Sequence, residues 1–313
     1  MSWTLSIDGL QNAFPEGCAV AIGVFDGVHK GHQALLHATT RWARAHGVPA
    51  VVLTFEPHPA AVLAPAHSPP LLCTLAHRIE RLRALGIDWV VVQPFTPAFS
   101  QLTAEQFIHE ILIQRLNTRA VVVGGDFRFG HKRGGSVETL RAAGAFEVVL
   151  VAEVTDAQGE RISSTRIREL VRTGAIEQAN ALLGEPLPWT GVVVHGDQRG
   201  RKLGYPTANL VPIAPLVMPA EGVYACQVQV ENVSYAAAVS VGKPPMFENA
   251  RGRVEAYLID FPDTDLYGQV LTLQFLKRLR PLQVFESIDA LQRQMARDVE
   301  QARLIAQEVA TAG

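Results

Sequence analysis

Residues 18–32 read C-A-V-A-I-G-V-F-D-G-V-H-K-G-H: an apolar run, a glycine-bearing turn, then two histidines three positions apart. A near-continuous apolar stretch that stops at glycine has the pattern of a strand buried on both faces. Beyond it, Leu35, Leu36, Thr39, Trp42 and Ala43 recur at helical spacing within residues 32–46. A strand, a turn and a helix starting near Gly31 aim the helix's first amides at the carboxyl edge of a sheet, where anions bind, and phosphate is the natural guest. His29 and His32 share a face there and both address that guest. An isolated H-x-x-H pair is also compatible with incidental surface histidines or with two zinc ligands. No cysteine lies close enough in sequence to complete a zinc set, and the end of the first strand is where α/β folds bind ligands.

The same alternation continues downstream. A-V-V-L-T-F, D-W-V-V-V-Q, A-V-V-V-G-G and E-V-V-L-V are further apolar runs ending in Gly, Pro or polar residues, and Leu75, Ile79, Leu82 and Leu85 repeat the helical pattern between two of them. Strands alternating with helices predict a doubly wound α/β domain with a parallel sheet. Residues 57–70, P-H-P-A-A-V-L-A-P-A-H-S-P-P, are too proline-rich for a helix and predict a mobile loop over the site.

The character changes at G-E-P-L-P-W-T-G, residues 184–191, where two prolines follow a helical run over 167–183. The expected division is residues 1–186 and 187–313. Past it, V-V-V-H, G-V-Y-A-C-Q-V-Q-V, S-Y-A-A-A-V-S-V, R-V-E-A-Y-L-I-D-F and V-L-T-L-Q-F-L alternate and are separated by Gly, Pro, Asn and Asp. They predict a small all-β barrel. A helix over 288–309, carrying Leu291, Met295, Val299 and Ile305 on one side, closes the chain.

Composition narrows the class. A chain of 313 residues favours two domains, each able to bury a core. The formal charge of -2 and scattered Lys and Arg argue against a nucleic-acid footprint and for a small-molecule partner. Cys18, Cys73 and Cys226 lie far apart without C-x-x-C spacing, which predicts neither a disulfide framework nor a zinc cluster and fits a reducing cytoplasm. No basic-then-apolar leader and no apolar run of about 18 residues is visible, so neither signal peptide nor membrane partner is expected. Nothing in the pattern decides the oligomeric state.

Three more stretches carry chemistry. G-G-D-F-R-F-G-H-K-R-G-G, residues 124–135, looks superficially like a phosphate loop, but His131 stands where that motif requires Lys. I-S-S-T-R-I-R, residues 162–168, places hydroxyls and two arginines at a helix start, either as a cap with a solvated face or as a phosphate grip. In P-T-A-N, Thr207 and Asn209 are two apart, so an extended segment points both oxygens the same way, as a hard cation prefers.

In order, G-V-F-D-G-V-H-K-G-H (23–32), T-F-E-P-H-P (54–59), G-G-D-F-R-F-G (124–130) and I-S-S-T-R-I-R (162–168) resemble the FMN adenylyltransferase module of bacterial bifunctional riboflavin kinase/FAD synthetases. H-G-D-Q-R-G-R-K-L-G-Y-P-T-A-N (195–209), then G-V-Y-A, V-E-A-Y-L-I-D-F and D-L-Y-G, resemble the riboflavin kinase module, so the resemblance covers essentially the whole chain. It implies a Rossmann-like nucleotidyltransferase domain in which the phosphate of FMN attacks the α-phosphorus of ATP and pyrophosphate leaves. His29 and His32 would hold the α and β phosphates, with Gly23, Phe25 and Gly31 in the same ATP site. Ser164 and Thr165 would grip the β and γ phosphates, Arg168 would balance the departing pyrophosphate, and Asp126 and His58 would bind nucleotide or flavin.

In the kinase half the 5′-hydroxyl of riboflavin must lose a proton, and the resemblance makes Glu255 the catalytic carboxylate; by pattern alone Glu255 is one outward position of an alternating strand. Thr207 and Asn209 would serve Mg²⁺ and phosphate. Gly196, Gly200 and Gly204 would let backbone approach the nucleotide, or are turn glycines. G-K-P-P-M-F, residues 242–247, departs from the family pattern G-x-x-P-T-F at Met246. The expected activities are riboflavin to FMN and FMN to FAD, each using ATP. The alternatives are a chain keeping one activity, or a flavin-binding storage or regulatory protein on the same scaffold.

Overall fold

The computed structural model describes residues 4–6, 11–196, 200, 204–231, 233–242, 253–262 and 264–312. The chain forms two compact units, Met1–Pro69 with Leu75–Ser163, and Pro70–Thr74 with Ser164–Gly313. Met246 lies outside the described residues.

In the first unit, β1 (Thr4–Ser6), β2 (Cys18–Ile22), β3 (Ala50–Glu56), β4 (Trp89–Pro94), β5 (Thr118–Gly124) and β6 (Glu147–Val151) make a six-stranded parallel sheet in the order β1-β4-β3-β2-β5-β6. Alternate residues of the same strand feed opposite layers, as the pleat requires. Val20 and Ile22 join Leu53, Val91 and Val121 under the helical run Phe107–Arg115. Ala19 and Ala21 join Val52 and Val90 under Leu36 of α1 (Lys30–His46) and Leu82 of α3 (Leu75–Ala84). Burial on both faces is why these strands read as continuous apolar runs. The sheet order reverses between β2 and β5, which places the turn after β2 and the G-G-D-F-R-F-G loop after β5 side by side at the switch point, where such sheets bind ligands.

Several boundaries differ from expectation. The strand after Cys18 stops at Ile22, because Phe25 (φ 54°) and Val28 (φ 39°) have left the extended region. The proline-rich stretch does contain a helix, α2 (Pro59–Leu63): Pro59 occupies the first turn, where no N–H is required, and His58 Nδ1 accepts from Ala60 N at 3.1 Å. A helix absent from the sequence reading, α4 (Ala104–Gln106), is capped by Thr103 and continues with π-type bonding as Phe107–Arg115. A short helix, α5 (Val137–Ala142), precedes β6.

In the second unit, β7 (Leu187–Val194), β8 (Ala208–Pro212), β9 (Gly222–Val230), β10 (Val233–Gly242), β11 (Arg253–Leu258) and β12 (Val270–Arg280) form a closed barrel in the order β10-β11-β8-β7-β12-β9, with antiparallel pairing throughout. The last helix, here Ile288–Ala312, packs Ala302 against Ala225 and Ile259 of the barrel wall. It is pinned by Arg280, which grips Asp298 at 2.7 Å while Gln294 Nε2 donates to the same carboxylate at 2.8 Å.

The helical run over 167–183 is two helices, α6 (Ser164–Thr173) and α7 (Ile176–Leu183), separated at Gly174, whose φ of 82° suits glycine. Pro188 is not in a connection but inside β7, opposite Gln274. The connection is therefore residues 184–186. By packing, α6 and α7 group with the barrel. Asn180 Nδ2 donates to Phe275 O at 2.8 Å, and its Oδ1 accepts from Leu187 N at 2.8 Å. Residues 70–74 are woven into the same unit: Leu71 N donates to Pro215 O and Val217 N to Leu71 O, both at 2.8 Å. No helix among the described residues is long and apolar enough to cross a membrane.

Candidate active sites

The turn after β2 holds its histidines by a nested set of contacts. Helix α1 begins at Lys30, so His29 is its N-cap rather than a first-turn residue, and the His29 Nδ1 accepts from His32 N at 3.3 Å. The two rings nonetheless stack, with centroids 3.6 Å apart and planes 17° from parallel, and Phe25 meets His32 edge-on at 5.2 Å. Glycine at 31 makes the stack possible: a Cβ there would lie 3.1 Å from His29 Cε1 and Nδ1. At Gly23 a Cβ would lie 3.2 Å from the Phe25 ring.

Burial pushes His32 well below the ordinary histidine pKa, and the His29 ring and the Arg78 guanidinium push it further the same way. His32 is thus neutral at pH 7, and its buried Nδ1 has no hydrogen-bond partner among the described residues. The neutral His32 imidazole, beside His29 and ahead of the α1 amides, offers an N–H donor to an anion.

Arg78 lies in no motif that the sequence singles out. It occupies the apolar stripe of α3 between Leu75 and Leu82 and is 2% exposed; an arginine in that stripe was the available signal. Its Nη1 donates to Val24 O at 2.6 Å, and its Nη2 pairs with Glu56 at 2.7 Å.

Asp126, beyond β5, is exposed and pairs with Arg161 at 2.5 Å; that bond holds its carboxyl below the usual aspartate range. Arg161, which also lies 3.6 Å from Glu153, was missed in I-S-S-T-R-I-R because it stands one residue before the motif. His58, half-buried at the end of β3, caps α2. Ser164, Thr165 and Arg168 belong to the second unit, at the start of α6. There Arg168 is buried and its Nε donates to Pro70 O at 2.7 Å.

In the barrel, register brings the candidates together. Asn209 on β8 is directly opposite Glu255 on β11, so their side chains share one face of the sheet. Asn209 is buried and Glu255 half-buried. A Cβ on Gly196 would fall 2.2 Å from Asn209 Nδ2, and one on Gly200 would fall 2.3 Å from Tyr205 O, so a side chain at 196 must push the Asn209 amide aside and one at 200 must move the Tyr205 backbone. Gly204, at φ 84°, takes a turn that L side chains resist. Thr207 lines a cavity of about 660 Å³ together with Ala208, Tyr257, Asp260, Leu266 and Tyr267. The His195 ring lies 3.7 Å from that of Tyr267 at the same end of the barrel.

Each unit thus has the build of a phosphate-handling enzyme, one on a parallel sheet and one on an antiparallel barrel. The family description FAD synthetase matches residues 11–166, and riboflavin kinase matches residues 183–306. The bifunctional riboflavin kinase/FMN adenylyltransferase of Escherichia coli K12 is 37% identical over 301 residues, 95% of each chain. Its namesake in Bacillus subtilis is 35% identical over 289 residues, 90% of each chain. A crystal structure from Streptococcus pneumoniae, named a macrolide-efflux protein, has a TM-score of 0.84 and 36% identity, covering 96% of this chain and 99% of that one. The chain belongs to the family of bifunctional riboflavin kinase/FMN adenylyltransferases.

Proposed function

We propose that the barrel unit phosphorylates riboflavin to FMN with ATP, and that the FAD synthetase domain adenylylates FMN to FAD with release of pyrophosphate. The observation that carries this reading is that both sets of chemistry-bearing residues are intact and gathered: His29 stacked on His32, and Glu255 opposite Asn209. Binding alone requires neither phosphate activation nor a base.

For adenylylation the nucleophile is already anionic, so the demand is on positive potential and geometry around the α-phosphorus. His29, His32 and the α1 amides supply both, with Gly23, Phe25 and Gly31 shaping the turn that holds them. Ser164, Thr165 and Arg168 are assigned to the β and γ phosphates and pyrophosphate on the resemblance alone. Phe55, Phe95 and Phe99 meet one another at centroid distances of 5.7 to 6.0 Å, and Phe127 stacks on Phe129 at 5.5 Å. These aromatics lie at or just beyond the carboxyl ends of β3, β4 and β5 and suit a flat tricyclic flavin. We assign His58 and Asp126 to the same region.

For phosphorylation, Glu255 takes the proton from the 5′-hydroxyl as that oxygen attacks the γ-phosphorus of ATP, and ADP leaves. The Thr207 hydroxyl and the Asn209 amide oxygen are hard donors beside that carboxylate, a set that fits Mg²⁺. Mg²⁺ bound there would neutralise charge on the ATP phosphates. Gly196 and Gly200 pack closely against Asn209 and Tyr205, and Gly204 takes the positive-φ turn before them. We assign the functional division to residues 186 and 187, next to the joint between α7 and β7, although α6 and α7 pack with the barrel. The three buried free cysteines suit a reducing cytoplasm.

Incubation with riboflavin, ATP and Mg²⁺, with FMN and FAD resolved by chromatography, tests the reading. Both products are expected. FMN alone would leave one activity, and neither would leave a flavin-binding protein.

A further inference from the structure

The geometry points to Arg78 as a positioning residue for FAD formation, a brace that holds the histidine-bearing turn without touching substrate; the inference rests on the adenylyltransferase reading above. The turn after β2 is conformationally expensive. Phe25, Gly27 and Val28 all have positive φ, at 54°, 75° and 39°, and for a bulky or β-branched residue that region is disfavoured. Such a turn persists only where its surroundings over-determine it.

The residue just before the strained run is Val24, and its carbonyl is where the surroundings take hold. It accepts from Arg78 Nη1 at 2.6 Å and from Thr54 Oγ1 at 3.0 Å. The other prong of Arg78, Nη2, is tied to Glu56 at 2.7 Å. One buried guanidinium on α3 therefore clamps the exit of β2 to the end of β3. What it clamps leads straight to the site: the Phe25 ring next along the chain lies against His32, which is stacked on His29. A fork-shaped cation is the side chain suited to this task, because a lysine gives a single point of contact. A buried ion pair is often matched in stability by an apolar side chain of similar volume, so stability alone does not call for an arginine here.

The test uses the full chain, which carries its own control in the second reaction. Arg78→Met is expected to lower kcat for FAD formation from supplied FMN by roughly tenfold or more, the scale set by misplacement of a reacting group. KM for ATP and FMN should stay within about twofold and riboflavin phosphorylation should be unchanged, because the brace touches neither substrate. Arg78→Lys should recover less than half of the lost kcat. Wild-type kcat in folded Arg78→Met, a rise in KM with kcat kept, an equal loss of phosphorylation, or full recovery by Arg78→Lys each overturns the brace. If Arg78→Met does not fold, Thr54→Val decides, since it strips the other donor from Val24 O: kcat for FAD falls with KM unchanged, or the brace is refuted. Wild-type protein that makes no FAD would instead refute the functional reading on which the brace rests.

Discussion

Gly31→Ala is expected to separate activity from stability. The added methyl would stand 3.1 Å from His29 Cε1 and Nδ1, where carbon contacts ordinarily settle at about 3.5–4.0 Å, so the ring must retreat by roughly half an ångström. The cap bond from His32 N to His29 Nδ1 is already long at 3.3 Å and does not survive that retreat. Losing an N-cap costs about 1 kcal/mol. Alanine returns about 0.5–1 kcal/mol over glycine in a helix, so the two terms nearly cancel. Thermal stability should therefore move little while the histidine stack is tilted out of place. A misplacement of this size is expected to lower FAD formation by about tenfold to a hundredfold. The assay is FAD production from FMN and ATP, with riboflavin phosphorylation and the melting temperature measured on the same preparation. FAD formation within about twofold of wild type would refute the claim that glycine at 31 exists to seat His29.

His29→Ala or His32→Ala should abolish FAD formation while FMN production continues, checked by chromatography of both flavins; joint loss in a folded variant would end the assignment of separate sites. Glu255→Gln should slow riboflavin phosphorylation by roughly a hundredfold, the scale of general-base assistance, and leave adenylylation of supplied FMN intact. Folding keeps His32 neutral at a pH where the unfolded chain's histidine takes up a proton, so the unfolded state binds more protons and stability falls as pH drops below about 6.5, by at most about 1.4 kcal/mol per unit. Melting temperatures from pH 7.5 to 5.5 should show a shallower fall in His32→Asn; parallel curves would contradict it. A fragment starting at Trp189 should lack a cooperative melt by circular dichroism, because it has lost Leu187 and Pro188 from their pairing with Phe275 and Gln274, whereas one starting at Ser164, which keeps every barrel strand and lacks only Pro70–Thr74 of its unit, should melt cooperatively.

The sheet and barrel were legible because burial wrote them into the sequence. Strands with all five residues buried, such as Cys18–Ile22, can only be apolar runs, and barrel strands must alternate. What escaped depended on single long-range contacts. Pro188 reads as a linker residue, yet β8 pairs with β7 only from Gly191 to Val194, so the missing N–H at Pro188 breaks no ladder on that side. The proline-rich stretch holds a helix because one histidine caps it, which no propensity sum anticipates. Of the candidate sites, the histidines and Glu255 were proposed from spacing and resemblance. The register that sets Glu255 against Asn209, and the partner that Arg78 reaches at Val24, belong to the fold, although an arginine in an apolar stripe hinted at a buried role.

The five residues Pro70–Thr74 impose an order on synthesis. Every element of the first unit has been synthesised once Ser163 is made, yet the partners of Leu71 are Pro215 and Val217, more than fifty residues later. At about 5–20 residues per second, the nascent chain waits roughly 3–10 s with Leu72 and Cys73, both 1% exposed in the finished protein, unsheltered. The interval is a window in which a growing chain presents an apolar loop to chaperones or to neighbouring chains on the same message.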